Sequence, residues 1–163
     1  MKKYASVIVW FAAVAIFMVA WFIVSGLGDG ASAIDYSYYI QNYEVRYEYE
    51  SGRTFKVTEN ITAVFNVYGK HGIIRDLPYN SDEVYTDIYS DDAFDVQLSG
   101  GFISVYLGDE NRIVPSDEPI SYTLEYSFKL PASAGKDTVY LNLIGGGWTT
   151  NIESATCVLV LPE

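Results

Sequence analysis

Residues 43–65 read YEVRYEYESGRTFKVTENITAVF. Tyr43, Val45, Tyr47 and Tyr49 fall on one side of an alternating run, with Glu44, Arg46, Glu48 and Glu50 on the other. A period of two with one apolar side marks a half-buried β-strand. Ser51-Gly52-Arg53 offers a tight turn, after which Phe55, Val57, Ile61, Ala63, Phe65 and Val67 again share a face. The stretch therefore predicts two antiparallel strands joined as a hairpin.

The same style continues outward. AFDVQLS, GFISVYLG, ISYTLEYSFKLP, DTVYLNLI and SATCVLVLP are rich in aromatic and β-branched residues, and Gly, Pro, Asp, Asn and Ser punctuate them. After residue 34 no helical periodicity competes with this pattern. It predicts an all-β fold, an antiparallel β-sandwich of immunoglobulin-like type with about seven strands. The Cys-Trp-Cys spacing of a true immunoglobulin domain is missing.

The first thirty-three residues are different in kind. Lys2 and Lys3 precede a run without charge from Tyr4 to Gly28, followed by Ala31-Ser32-Ala33. This order of basic, apolar and small residues describes a signal peptide, while the length of the run also suits a membrane-spanning anchor. Both readings assign residues 1–33 to membrane targeting. Both also place residues 34–163, a single domain, on the extracytoplasmic side, with the lysines in the cytoplasm. If the chain is cut after Ala33 and no further span follows, the domain is secreted; otherwise it stays at the cell membrane.

The formal net charge is −11, which makes nucleic acid and anionic lipid poor partners. Cys157 is the sole cysteine, so no internal disulfide forms; in TCVLVLP it reads as a small buried hydrophobe of a strand.

Residues 69–94 read as an irregular segment between the second and third strands. Asp82, Glu83, Asp87, Asp91 and Asp92 give it the oxygens of a calcium loop without the spacing of one, so no metal site is expected there. It also holds the only histidine, in YGKHGIIRDLPYN (68–80). His71 lacks the nucleophile and orienting carboxylate of an acid–base centre and the co-ligands of a zinc site, so neither catalytic residues nor a cofactor is expected. Gly69 and Gly72, the apolar Ile73, Ile74 and Leu77, and Pro78 point to architecture first. Recognition comes second, through His71, Asp76, Tyr79, Tyr85, Tyr89 and Trp148, the tyrosines and tryptophan forming an aromatic platform for glycan or peptide.

One residue of the opening hairpin breaks the alternation. Counting by twos from Phe55 places Glu59 on the apolar face. A carboxylate there needs a partner, because an uncompensated buried charge costs several kcal/mol. Arg75 is the expected partner, set between Ile73-Ile74 and Leu77-Pro78 and able to grip a carboxylate with two parallel bonds. A bulge at Thr58-Glu59 that turns the side chain to water is the alternative.

Three ordered motifs, FKVTENITAVF, HGIIRDLP and YLNLIGGGWTTNIESATCVLVLP, resemble the N-terminal extracytoplasmic domain of the YciQ-like predicted membrane proteins, a domain of unknown function. The likeness runs over residues 40–162. Leu141 stands where the family often has an aromatic residue. Members resemble long proteins that continue into further transmembrane helices, which makes this sequence either a fragment of such a protein or a stand-alone module. The resemblance implies a place and an architecture but no activity. Together these readings predict a non-enzymatic interaction or sensing module of a membrane protein, its partners the membrane, other envelope proteins or glycan. A cell-envelope glycan-binding module is the alternative.

Overall fold

The computed structural model describes residues 4–9, 34–79, 84–130 and 141–162. Among the described residues nine strands run in chain order: β1 (Tyr4–Val9), β2 (Tyr38–Ser51), β3 (Thr54–Phe65), β4 (Gly72–Pro78), β5 (Val84–Tyr89), β6 (Phe94–Ser99), β7 (Phe102–Gly108), β8 (Pro119–Lys129) and β9 (Ala155–Pro162). Among the described residues there is no helix. The strands form a six-stranded sheet ordered β1-β9-β2-β3-β8-β5 and a three-stranded sheet ordered β4-β7-β6.

The opening hairpin forms as its alternation dictates. β2 pairs antiparallel with β3 from Tyr38↔Phe65 to Ser51↔Thr54. Gly52 (φ 57°) and Arg53 (φ 73°) make the two-residue turn, a conformation whose twist matches that of the flanking strands. Tyr43, Val45, Tyr47, Phe55, Val57, Ile61, Ala63 and Phe65 are all buried. Val67 is exposed instead, because β3 ends at Phe65. β8 extends the sheet beyond β3 and turns Tyr122, Leu124, Tyr126 and Phe128 inward. The smaller sheet meets this face with Ile73 and Leu77 of β4 and Val105 and Leu107 of β7, which join the same core.

Four expectations are corrected. The sheets are not wholly antiparallel, since β9 lies parallel to β2, from Tyr43↔Ala155 to Glu48↔Val160. Residues 69–94 are not irregular, since they contain β4 and β5. The alternation of β4 was hidden because one of its three inward positions, between Ile73 and Leu77, is an arginine. DTVYLNLI is not a strand where it is described: Leu141 to Ile144 run as irregular chain, and residues 137–140 lie outside the described residues. The strands number nine rather than about seven among the described residues.

The expected hydrophobic helix falls mostly on residues 10–33, which lie outside the described residues. Tyr4–Val9 is extended and runs antiparallel to β9. Among the described residues no helix is long and apolar enough to cross a membrane.

Candidate functional site

Glu59 sits in the middle of β3, between Val45 of β2 and Leu124 of β8. Its side chain is fully buried, and Arg75 of β4, 1% exposed, faces it from the other sheet. The guanidinium grips the carboxylate with two bonds, Nε to Oε2 at 2.8 Å and Nη2 to Oε1 at 3.0 Å. The expected pair therefore forms, and no bulge interrupts the β2–β3 register at Glu59. Burial alone would drive the guanidinium toward its neutral form; the Glu59 carboxylate more than reverses this and holds Arg75 above its ordinary range.

The pair makes further hydrogen bonds. Arg75 Nη1 donates to the carbonyls of Asp76 at 2.8 Å and Gly146 at 2.7 Å. Tyr126 donates its hydroxyl to Glu59 Oε1 at 2.7 Å. Burial, and then the Glu59 charge, hold the Tyr126 phenol well above its ordinary range. Trp148 lays its ring over the guanidinium at 4.7 Å and meets Tyr43 edge-on at 5.4 Å. A buried ion pair repays its desolvation only when hydrogen bonds serve its other lone pairs and protons, and every nitrogen and oxygen of this pair has at least one partner.

The Gly145-Gly146-Gly147 run explains itself at this centre. A Cβ on Gly145 (φ +73°) would lie 2.4 Å from Arg75 Nη2, and one on Gly147 (φ +83°) 2.3 Å from the Asp76 carbonyl oxygen. The loop wraps the arginine so closely that side chains are excluded. Tyr47 secures the same segment by donating to the Asn142 carbonyl at 3.2 Å. The roles of Tyr47, Tyr126 and the three glycines were not assigned from the sequence. A triple glycine directly after Asn142-Leu143-Ile144 and directly before Trp148 was the available signal for close backbone approach.

The other expected residues separate. His71 is exposed and donates Nδ1 to the Arg112 carbonyl at 3.2 Å. It borders a cleft of about 340 Å³ with Asp92, Asp109, Arg112 and Tyr122, away from the ion pair. Asp76 accepts a bond from Ser104 Oγ at 2.5 Å across the β4–β7 pair. Tyr85 packs on Phe128 at 5.1 Å and Tyr126 at 5.6 Å, and Tyr89 on Phe94 at 6.4 Å. Tyr79 remains about half exposed. The expected aromatic platform thus has Tyr85 and Trp148 turned inward, with Tyr79 and Tyr89 left outside. In the acidic stretch Asp91 accepts the Tyr89 hydroxyl and Asp92 the Thr123 amide, while Asp82 and Glu83 lie outside the described residues. Cys157 is half-buried in β9, where burial pushes its thiol up.

These observations define a class: an all-β domain of two packed sheets, pinned through its core by one arginine on which three sequence motifs converge. The chain belongs to the family described as "Predicted membrane protein (DUF2207) N-terminal domain", whose model matches residues 39–163. No curated protein matches it.

Among solved structures it is similar to an M1 zinc metallopeptidase from Deinococcus radiodurans, at 13% identity and a TM-score of 0.42, over 66% of this chain and 24% of that one. A two-domain M1 zinc metallopeptidase bound to L-tryptophan gives 11% identity and a TM-score of 0.43, over 72% and 26%. A non-cellulosomal cohesin from the archaeon Archaeoglobus fulgidus gives 16% identity and a TM-score of 0.37, over 76% and 90%. The chain spans about a quarter of the length of these metallopeptidases. Likenesses this distant carry no argument about activity.

Proposed function

We propose that the domain is a non-enzymatic interaction or sensing module of a membrane protein, held on the extracytoplasmic side by the hydrophobic segment that precedes it. One observation carries this reading: the two buried charges of the first and second motifs, Glu59 and Arg75, are consumed by one another. Arg75 and Glu59 are sealed in the core with their polar atoms bonded, which leaves them no reacting group to offer a substrate. Their chemistry is that of a scaffold, and a scaffold acts through the surfaces it presents. The glycan reading has less behind it, since Trp148 and Tyr85 spend their faces on Arg75 and Phe128.

Sidedness is tested with Tyr68→Cys, a position 79% exposed, in a Cys157→Ala background of the full chain. An impermeant maleimide should label it in intact cells; labelling only after lysis overturns the placement. The glycan alternative is tested in the full chain carrying Trp10→Phe and Trp21→Phe, which leaves Trp148 as the only tryptophan. Envelope polysaccharides should leave its fluorescence unchanged, and a saturable change would reverse the preference.

A further inference from the structure

The three-stranded sheet ends on a strand whose inward side chains the core does not cover. On its inner face β7 turns Val105 and Leu107 into the core at 0% and 1% exposure, and β4 buries Ile73 and Leu77 at 3% and 1%. Their register partners one strand further out are Phe94, opposite Leu107, and Val96, opposite Val105, with Leu98 opposite Ile103. These three share the inner face, yet they are 38%, 40% and 67% exposed. The cover supplied by the larger sheet stops at its own edge strand β5, where Tyr89 touches Phe94.

The backbone of the same three residues is also unsatisfied by its sheet. β6 and β7 turn through Gly100 (φ 60°) and Gly101 (φ 82°), a two-residue hairpin in which Ser99 and Phe102 form the hydrogen-bonded pair. Alternation then makes Gln97 and Asp95 bond to β7, and aims the N–H and C=O groups of Phe94, Val96 and Leu98 away from it. The Gly108 amide bonding to the Ala93 carbonyl at 2.8 Å fixes that parity. Among the described residues β6 pairs only with β7. One edge therefore offers both a ladder of free backbone groups and a row of half-covered apolar side chains.

Charge selects the occupant. Between Arg75 and Arg112 the chain has nine carboxylates and no lysine or arginine, and Asp95 stands on β6 with Asp109 and Glu110 just beyond β7. A second copy would bring the same carboxylates against themselves, whereas alternating cationic residues would complement them. We propose that β6 is an acceptor edge for an extended segment of another protein in which apolar residues alternate with Lys or Arg. Its backbone would continue the ladder from β6, its apolar side chains would cover Phe94, Val96 and Leu98, and its cations would face Asp95. This rests on the interaction-module reading above and names the surface and the chemistry of its partner.

The test uses the purified full chain and a short capped peptide of alternating Val and Lys. Saturable binding that weakens with salt is expected. A peptide of the same composition with its valines and lysines in separate blocks, and an alternating Val and Glu peptide, should each bind about tenfold more weakly or worse. Val96→Pro deletes one free-edge N–H without removing a β7 bond and should abolish binding. Leu98→Lys changes only the apolar row and serves if the proline variant melts early; it too should weaken binding about tenfold.

Equal binding of the blocked peptide, no binding of the alternating one, or binding unchanged in folded Val96→Pro and Leu98→Lys would each overturn the proposal. So would concentration-dependent self-cross-linking through Gln97→Cys, which assigns the edge to a second copy. Photo-cross-linkers at Gln97, Tyr68 and Ile74 in intact membranes separate the two levels. Products from the other faces but not from Gln97 sink the edge and spare the module, and no product from any face sinks the module itself.

Discussion

Arg75 and Glu59 join the two sheets of this domain through a two-bond fork at 2.8 and 3.0 Å, at a point where neither side chain touches solvent. Each is the only opposite charge that compensates the other for lost hydration. Glu59→Ala and Arg75→Ala should each cost about 3–5 kcal/mol, because each strands one buried charge. The double variant should cost well below the sum, since no charge is stranded. Urea denaturation of the three variants measures this, and additive losses would contradict the pairing.

Gly145→Ala should destabilise strongly through two separate effects. Its φ of +73° disfavours a side chain, and the new Cβ would collide with Arg75 Nη2 at 2.4 Å. Gly101→Ala, at φ +82° with nothing within 4 Å, isolates the conformational effect at about 1–2 kcal/mol. The difference between the two melting temperatures reports the crowding around the guanidinium, and equal shifts would show that Arg75 yields.

In His-Gly-Ile-Ile-Arg the glycine carries the structure and the histidine little of it. His71→Ala removes one exposed hydrogen bond to the Arg112 carbonyl, worth about 0.5–1.5 kcal/mol at most. Gly72→Ala would set a Cβ 1.9 Å from the Leu107 carbonyl oxygen, backbone that cannot step aside without breaking the β4–β7 pair. The first variant should melt close to the parent and the second should fail to reach a native melting transition.

Alkali should unfold the domain sooner than its surface phenols alone would suggest. Burial raises Tyr43, Tyr47 and Tyr126, with Glu59 adding to each, and burial pushes Tyr122 up to about 12. A phenol raised in the fold holds its proton when the unfolded chain has lost it. Its stabilising contribution is therefore complete below pH 10 and declines as pH climbs toward the folded value. Absorbance titration should show these tyrosines ionising together with loss of near-ultraviolet circular dichroism. Tyr122→Phe should flatten the decline between pH 10 and about 12.

How much of this was legible depended on whether the cause was local. The β2–β3 hairpin could be read because period-two alternation is a property of neighbouring residues, and Glu59 could be flagged because it broke that period within its own strand. Arg75 could be named as its partner only because the apolar residues around it implied burial. β4 was missed as a strand by the same token, since an inward arginine imitates a break in the pattern. The inward turn of Tyr85 and Trp148 was equally invisible, because an aromatic side chain reads the same whether it covers a core or faces solvent.

The sequence by itself determined that residues 43–65 form a two-sided hairpin and that a carboxylate falling on its inner face required a partner. Only the tertiary structure decided that β9 lies parallel to β2, that the glycines close on Arg75 rather than on a ligand, and that β6 overhangs the core. Alternation specifies which side of a strand seeks cover. Which element supplies the cover, and where it runs out, is set by how the two sheets stack, a competition among contacts distant in sequence that no local period records.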